Sequence, residues 1–329
     1  MRLDELSIDA VLFVVEDNRL IGAITDGDIR RGFISGLGFE DPITLFMNPS
    51  PRYIRENEIS VEQLAVYRSQ FIEIIPIIDK DGIVLDVVNF RFQSTILPID
   101  AVIMAGGRGR RLMPLTENTP KPLLTVGHKP IIEYNIDRLM KVGVKNITLS
   151  INYLGEQLIN YFQDGRERGI KIDYIKENKP LGTIGSVLLK DGFNHEDVLV
   201  MNSDLLTNID FTDFYKNYKN SGADMAVAAV SYVINVPYGV LESDSNNRVT
   251  SLKEKPNYTY FSNAGIYMIN RRLFSMIPEG TFFDVTDLMK KVIDLGYKLI
   301  MYPINCYWLD IGKHEDYKKA QEDIKNIIL

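Results

Sequence analysis

The 329-residue sequence predicts an α/β protein of two domains: a mainly parallel sheet flanked by helices over residues 97–329, preceded by a small α+β domain over residues 1–96. Three observations carry this expectation. From Ala101 onward, short apolar runs alternate with helix-periodic stretches, the pattern of right-handed βαβ crossovers. Within the first hundred residues one strand–turn–strand plan occurs twice. The length is also more than one core ordinarily fills.

In the front domain, "AVLFVVEDNRLIGAITDGDIRRGF" reads as a strand over 11–15, a turn at "EDNR", a return strand over 20–24 and a helix starting at Asp28. "IEIIPIIDKDGIVLDVVNF" repeats the plan, with strands over 72–78 and 83–88 around "DKDG". "QSTILPID" reads as the linker, ending at Asp100. Beyond it come a strand over 101–105 and a helix over 131–142 with Gly143 as its C-cap. A strand over 146–151, a helix over 154–162, a strand over 171–175, a helix over 183–190, a strand over 197–201 and a helix over 211–219 follow. The rest is richer in strands, at 225–230, 239–241, 249–252 and 265–269, with helices over 285–295 and 314–327. On a sheet of this kind ligands bind at the carboxyl ends of the strands.

Composition narrows the function. Hydrophobic content of 45% and charged content of 25% are ordinary for a soluble globular protein. A net charge of -7 argues against a nucleic-acid binder, so an anionic ligand would need a local basic patch. Cys306 is the one cysteine, which excludes an intrachain disulfide and fits a reducing compartment. The opening residues lack a signal-peptide plan, and no apolar run approaches the ~20 residues that span a bilayer. The expectation is a cytoplasmic protein with no membrane partner.

The basic patch is "AVIMAGGRGRRLMPLTENTPKPLL", residues 101–124. Gly106, Gly107 and Gly109 leave backbone N–H groups open to an anion, and Arg108, Arg110, Arg111 and Lys121 add charge. That combination, placed after an apolar strand, points to a polyphosphate rather than to a plain turn with solvated arginines. Two familiar phosphate motifs do not fit. Arg110 and Arg111 stand where a P-loop needs Lys and Ser or Thr, and Leu112 stands at the third glycine of a dinucleotide fingerprint.

The stretch "GGRGRRLMPLTENTPKPLL" resembles the signature of sugar-1-phosphate nucleotidyltransferases, in its paired glycines, Gly109, Arg111-Leu112, Pro114-Leu115-Thr116 and Pro120-Lys121-Pro122. The resemblance runs from Pro98 to Leu329 and implies a Rossmann-like, GT-A-like nucleotidyltransferase fold. It implies that Ala105, Gly106, Gly107 and Gly109 hold the nucleotide and that Arg111 and Lys121 are catalytic. "KPLGTIGSV" supplies Leu181, Gly182 and Thr183, which in that family frame the base. "VLVMNSDLL" is an apolar strand ending near Asp204, a carboxylate placed to hold Mg²⁺ against phosphates. "CYWLDIGKHEDY" carries Asp310, which resembles the family's second metal aspartate. Glu254 and Lys255 of "SLKEKPN" resemble the pair that meets sugar hydroxyls and sugar phosphate, although the stretch alone reads as a solvated charge run. Gly239 and Asn263 resemble further sugar contacts. The implied reaction is attack by a sugar-1-phosphate oxygen on the α-phosphorus of a nucleoside triphosphate. It would be driven by positioning and charge rather than by a strong base.

"LIGAITDGDIRRG" resembles part of a CBS-domain pair and implies an adenine nucleotide near Thr25 and Asp28. The second copy departs from that pattern at Asp86, Asn89 and Phe92, and the first has little chain before Val11. A regulatory site and a structural or homo-oligomerising role both remain open. CBS repeats ahead of such a transferase are similar to guanylyltransferases of nonulosonic (legionaminic) acid biosynthesis, which use glucosamine-1-phosphate, and to mannose-1-phosphate guanylyltransferases. This implies GTP, with UTP, CTP or dTTP as alternatives. A non-catalytic nucleotide-sugar sensor is a third reading, expected to lose basic loop residues or metal aspartates. Arg111, Lys121, Asp204 and Asp310 are all present.

Overall fold

A computed structural model describes residues 11–327. It divides into two units, one running up to Leu97 and including Lys141–Gly143, the other formed by Pro98–Met140 and the chain from Val144.

The first unit opens with the antiparallel hairpin β1 (Val11–Glu16) and β2 (Arg19–Thr25). Asp17 and Asn18 take φ of 49° and 64° at its turn, the positive values a tight two-residue hairpin demands. Helix α1 (Asp26–Ile34) starts two residues before the expected Asp28, because Thr25 caps it. Strand β3 (Ile54–Arg55), helix α2 (Val61–Ser69) and strands β4 (Ile74–Ile78) and β5 (Val84–Asn89) follow, with β3 parallel and β5 antiparallel to β4. Ile54, Leu64, Ile75, Ile77 and Val88 form the core. The sequence reading contained no α2. Val61 and Leu64 are buried while Val66 is exposed, so its apolar residues ring the helix and mark no single face.

The second unit is built on β6 (Ile99–Met104), the short β7 (Thr125–Val126) and β8 (Lys129–Pro130), α3 (Ile131–Lys141), β9 (Asn146–Ile151), α4 (Gly155–Phe162) and β10 (Lys171–Lys176). It continues through β11 (Asp197–Asn202), β12 (Leu205–Thr207), α5 (Phe211–Ser221), β13 (Met225–Asn235), β14 (Val240–Ser243), β15 (Val249–Lys253) and β16 (Asn257–Asn270). Helix α6 (Val285–Asp294), β17 (Leu299–Ile304), β18 (Trp308–Asp310) and α7 (His314–Asp323) complete it. Seven strands form one sheet in the order β10-β9-β6-β11-β16-β13-β17. Only β16 pairs antiparallel with both neighbours, so the sheet is mainly parallel, as the alternating pattern predicts. The central strands are apolar runs buried on both faces, as helices packed on either side require. One core joins Val102, Val200 and Tyr267 of the sheet to Leu288 and Val292 of α6. A second ties Leu112 and Leu124 of the arginine loop to Leu206, Ile311 and Ala320.

Three expected elements change. Residues 183–190 form only a 3₁₀ turn at Gly185–Leu189, not an α-helix. The start of the segment is tied sideways instead, Phe283 N donating to Leu181 O at 2.9 Å and Ile184 N to Phe283 O at 3.3 Å. The linker is shorter than expected, since β6 begins at Ile99. Asp100 is buried within β6 and accepts the backbone N–H of His195 at 2.8 Å, so a polar residue that reads as loop belongs to the sheet. The last helix stops at Asp323 rather than 327.

Candidate active site

Four strands of the sheet end at one cleft of about 820 Å³. Met104 closes β6 and opens the glycine–arginine loop, Asn152 follows β9, Glu177 follows β10, and Asn202–Asp204 ends β11; all of these line it. Gly106, Gly107, Arg108, Gly109, Arg110 and Arg111 form one wall. Gly109 sits at φ 60°, and a Cβ there would lie 2.9 Å from Thr116 Cγ2, while Thr116 Oγ1 donates to Gly109 O at 2.9 Å. The turn therefore needs glycine for both conformation and space. Gly107 has open space around it, so its backbone faces the cleft unobstructed. Leu112 is fully buried and anchors the loop's far end.

Lys121 comes from the 3₁₀ turn Lys121–Leu123 and is 9% exposed. Its ammonium is ion-paired with Asp204 Oδ2 and lies 4.0 Å from Asp310 Oδ1. The two carboxylates meet because β12 and β18 pair as an antiparallel ribbon, Leu205 opposite Asp310, with Ile311 N donating to Asp204 O at 3.0 Å. Burial, and then the negative charge of Asp204, push the Asp310 carboxyl above its ordinary range, while Lys121 and Arg111 pull it back. Oδ1 of Asp204 and Oδ1 of Asp310 are buried without a hydrogen-bond partner among the described residues. Arg111 leans over Gly312, where a Cβ would stand 3.3 Å from Nη2. Arg111, Lys121, Asp204 and Asp310 thus lie close together, the arrangement that the family resemblance implies. Among the described residues, no group of three or more His, Cys, Asp or Glu could hold a metal by itself. Asp204 and Asp310 could share a divalent cation with phosphate oxygens, each offering a buried carboxylate oxygen that accepts no hydrogen bond among the described residues.

The other expected residues are placed differently. Gly182 (φ 79°) and Thr183 line the cleft, with Thr183 N donating to Asp284 Oδ1 at 2.9 Å. A Cβ on Gly182 would lie 2.5 Å from Phe283 O, so this glycine permits close backbone packing. Leu181 and Ala105 are buried beneath the wall and expose nothing to it; Ala105 N donates to Ser150 O at 2.8 Å. Gly239 and Glu254 adjoin one another, a Cβ on Gly239 falling 3.1 Å from Glu254 Oε2. Lys255 takes φ 43°. Asn263 Oδ1 accepts Gly265 N at 2.9 Å, and the residue lines a separate, mostly apolar cavity of about 310 Å³. The described lining of the main cleft includes none of these four. In the first unit, Thr25 Oγ1 donates to Asp28 Oδ2 at 2.6 Å, Asp28 N donates back, and Arg31 pairs with Asp28. Thr25 and Asp28 form a capping box whose polar atoms satisfy one another.

Glu177 is one of the cleft residues that sequence reasoning missed, along with Asn152, Lys179 and Asp284. Ser150 Oγ donates to Glu177 Oε1 at 2.7 Å and Leu181 N to its Oε2 at 3.0 Å, so the carboxylate joins strand β9 to the Leu181–Thr183 segment. Its place at the carboxyl end of β10 is the signal that could have found it.

A mainly parallel sheet whose strand ends gather a glycine–arginine loop, a buried lysine and paired carboxylates describes an α/β protein with a cleft of clustered charges at the carboxyl edge of its sheet. The chain belongs to the nucleotidyl transferase family, whose model matches residues 100–327. It is 35% identical over 240 residues to "Bifunctional protein GlmU" of Methanococcus maripaludis, covering 70% of this chain and 56% of that one. It is 29% identical over 231 residues to the mannose-1-phosphate guanylyltransferase of Mycobacterium tuberculosis, covering 69% and 64%. Relatives named for uridylyl transfer also occur. The crystal structure of HddC from Yersinia pseudotuberculosis complexed with GMP-PN matches with a TM-score of 0.52 and 27% identity, covering 69% of this chain and 99% of that one. The chain thus spans little more than half the length of the first of these relatives. Among the described residues no helix is long and apolar enough to cross a membrane.

Proposed function

We propose that this protein transfers a nucleoside monophosphate from GTP to glucosamine-1-phosphate and releases pyrophosphate. The observation that carries the transfer reaction is the gathering of Arg111, Lys121 and Asp204 in the lining of one cleft at the strand ends, with Asp310 4.0 Å from the Lys121 ammonium. A phosphate oxygen of the sugar-1-phosphate forms a bond to the α-phosphorus. The bond from that phosphorus to the β-phosphate oxygen breaks, and its electron pair leaves on pyrophosphate. The nucleophile is already anionic, so the chain's task is to orient and to neutralise charge. Open N–H groups of the Gly106–Gly107 turn receive phosphate oxygens, Arg111 draws on the triphosphate and the departing pyrophosphate, and Lys121 faces the α-phosphate. Asp204 and Asp310 would hold Mg²⁺, which supplies further charge neutralisation when bound.

Glu177 supports guanine. Its carboxylate keeps acceptor capacity beyond the bonds from Ser150 and Leu181, and guanine offers adjacent N1–H and N2–H donors, whereas uracil offers one. The acceptor sugar rests on the likeness of the motif set to guanylyltransferases with CBS repeats. For the chain up to Leu97 we propose a CBS-type role in assembling a homo-oligomer, since Thr25 and Asp28 already satisfy each other.

The test offers purified protein each of GTP, ATP, UTP, CTP and dTTP with Mg²⁺. Each is paired in turn with glucosamine-1-phosphate, N-acetylglucosamine-1-phosphate, mannose-1-phosphate and glucose-1-phosphate, and pyrophosphate is measured. Release with GTP and glucosamine-1-phosphate is expected. Silence across the grid from folded protein that binds nucleotide overturns the transferase reading in favour of a sensor. Glu177→Gln is expected to cut kcat/KM for GTP about tenfold or more relative to UTP, since one lost or mismatched hydrogen bond is worth roughly 1–3 kcal/mol. An unchanged ratio removes Glu177 from base selection.

A further inference from the structure

We propose that Lys121 is the built-in occupant of the cation position between Asp204 and Asp310. On this view a divalent metal enters only as a polyphosphate draws the ammonium away. The proposal rests on the reading of Asp204 and Asp310 as the metal pair and adds a competitor for it.

The geometry that points to this is local. The Lys121 ammonium pairs with Asp204 and stands 4.0 Å from Asp310, so one positive charge sits between two carboxylates. The three side chains are 11%, 20% and 44% exposed, which leaves the lysine the most enclosed of the set. Each carboxylate keeps a buried oxygen, Oδ1, with no hydrogen-bond partner among the described residues. The lysine therefore covers the pair without satisfying it, as a stand-in for a cation of higher charge would. A carboxylate pair holding an ammonium presents one net negative charge to an arriving dication instead of two, and the ammonium adds repulsion at short range.

The backbone does not have to move for the exchange. Lys121 lies between Pro120 and Pro122, and Leu124 N donates to Lys121 O at 3.1 Å, so the main chain is pinned. Its Cβ packs against Gly109, 3.2 Å from where a Cβ on that glycine would stand. The swing is left to the flexible stem beyond Cβ, whose charged end turns from carboxylate to phosphate. Gly109 is part of the arginine loop, so a phosphate held there lies within the sweep of that stem. Metal and nucleotide thus arrive as coupled events.

The experiment measures Mn²⁺ binding to the intact chain by the electron paramagnetic resonance of free Mn²⁺, with no nucleotide present. Lys121→Met is expected to bind Mn²⁺ at least tenfold more tightly than the wild type, and Asp204→Asn in the Lys121→Met background is expected to abolish that gain. Lys121→Gln repeats the comparison with a neutral polar side chain, in case the methionine variant does not fold. Lys121→Arg, which keeps the charge, is expected to stay as weak as the wild type. Equal Mn²⁺ affinity in wild type, Met and Gln variants overturns the competition. If the wild type still releases pyrophosphate in that case, the transferase reading stands and the inference alone fails. A tighter Met variant that keeps its Mn²⁺ after Asp204→Asn also overturns it, because the gain then lies elsewhere.

Discussion

Asp204→Asn removes one carboxylate of the pair that faces Lys121, and pyrophosphate release is expected to fall about 10²–10³-fold, by analogy with the loss of one preorganised charge contact. The far-UV circular dichroism of the variant should match the wild type, and turnover near the wild-type rate would refute the role. Gly109→Ala tests the loop. Its left-handed backbone costs a non-glycine residue about 1–2 kcal/mol, and the new methyl meets Thr116, so urea unfolding should show at least that loss together with reduced nucleotide binding. At this scale much of the cleft was legible. Gly106, Gly107, Gly109 and Asp204 follow closely on apolar strands, and a glycine or charge at a strand end is visible in one dimension, while Arg111 and Lys121 stood out through their motif. Glu177 was not legible, because its importance lies in Ser150 and Leu181, partners supplied by other segments. Ala105 and Leu181 fall within the right motifs, yet their side chains pack inward.

Among the elements, those with one strong period were legible and those held by lateral bonds were not. Strands β9 and β11 and helix α5 follow their apolar patterns, with Asp210 capping α5 and Gly222 ending it at φ 63°. Residues 183–190 have helix-forming content but bond to Phe283, a partner about a hundred positions away that no window of sequence contains. Strand β13 is held at its start by Asp224, which accepts Lys298 N at 2.7 Å and pairs with Arg272. Burial opposes ionisation of Asp224, but the Lys298 bond and the Arg272 guanidinium prevail and hold its carboxyl below the ordinary value of 3.8. A depressed carboxyl stabilises the fold above the unfolded-state pKa and loses that contribution as pH falls through the folded one. Asp224→Asn should therefore be less stable than the wild type at neutral pH, and the gap in thermal midpoint should close as pH drops below about 4. A gap that stays constant with pH would show that the charge contributes nothing.

For the whole molecule, the division at Leu97 and Pro98 has a direct test. A chain beginning at Pro98 is expected to keep pyrophosphate release within a few-fold of the intact protein while changing its size in solution. Inactivity of the folded remnant would place the front unit inside the catalytic structure. The chain divides into two compact units near the place where the βαβ pattern begins. The meeting of Asp204 with Asp310 was legible only by resemblance, since nothing in either motif states that β12 and β18 pair. That ribbon has a consequence for synthesis. Asp204 emerges with the middle of the chain, and Asp310 follows more than a hundred residues later. All seven strands of the large sheet precede Trp308 in the chain, so Asp204 and Asp310 can meet only after the last of them has been made.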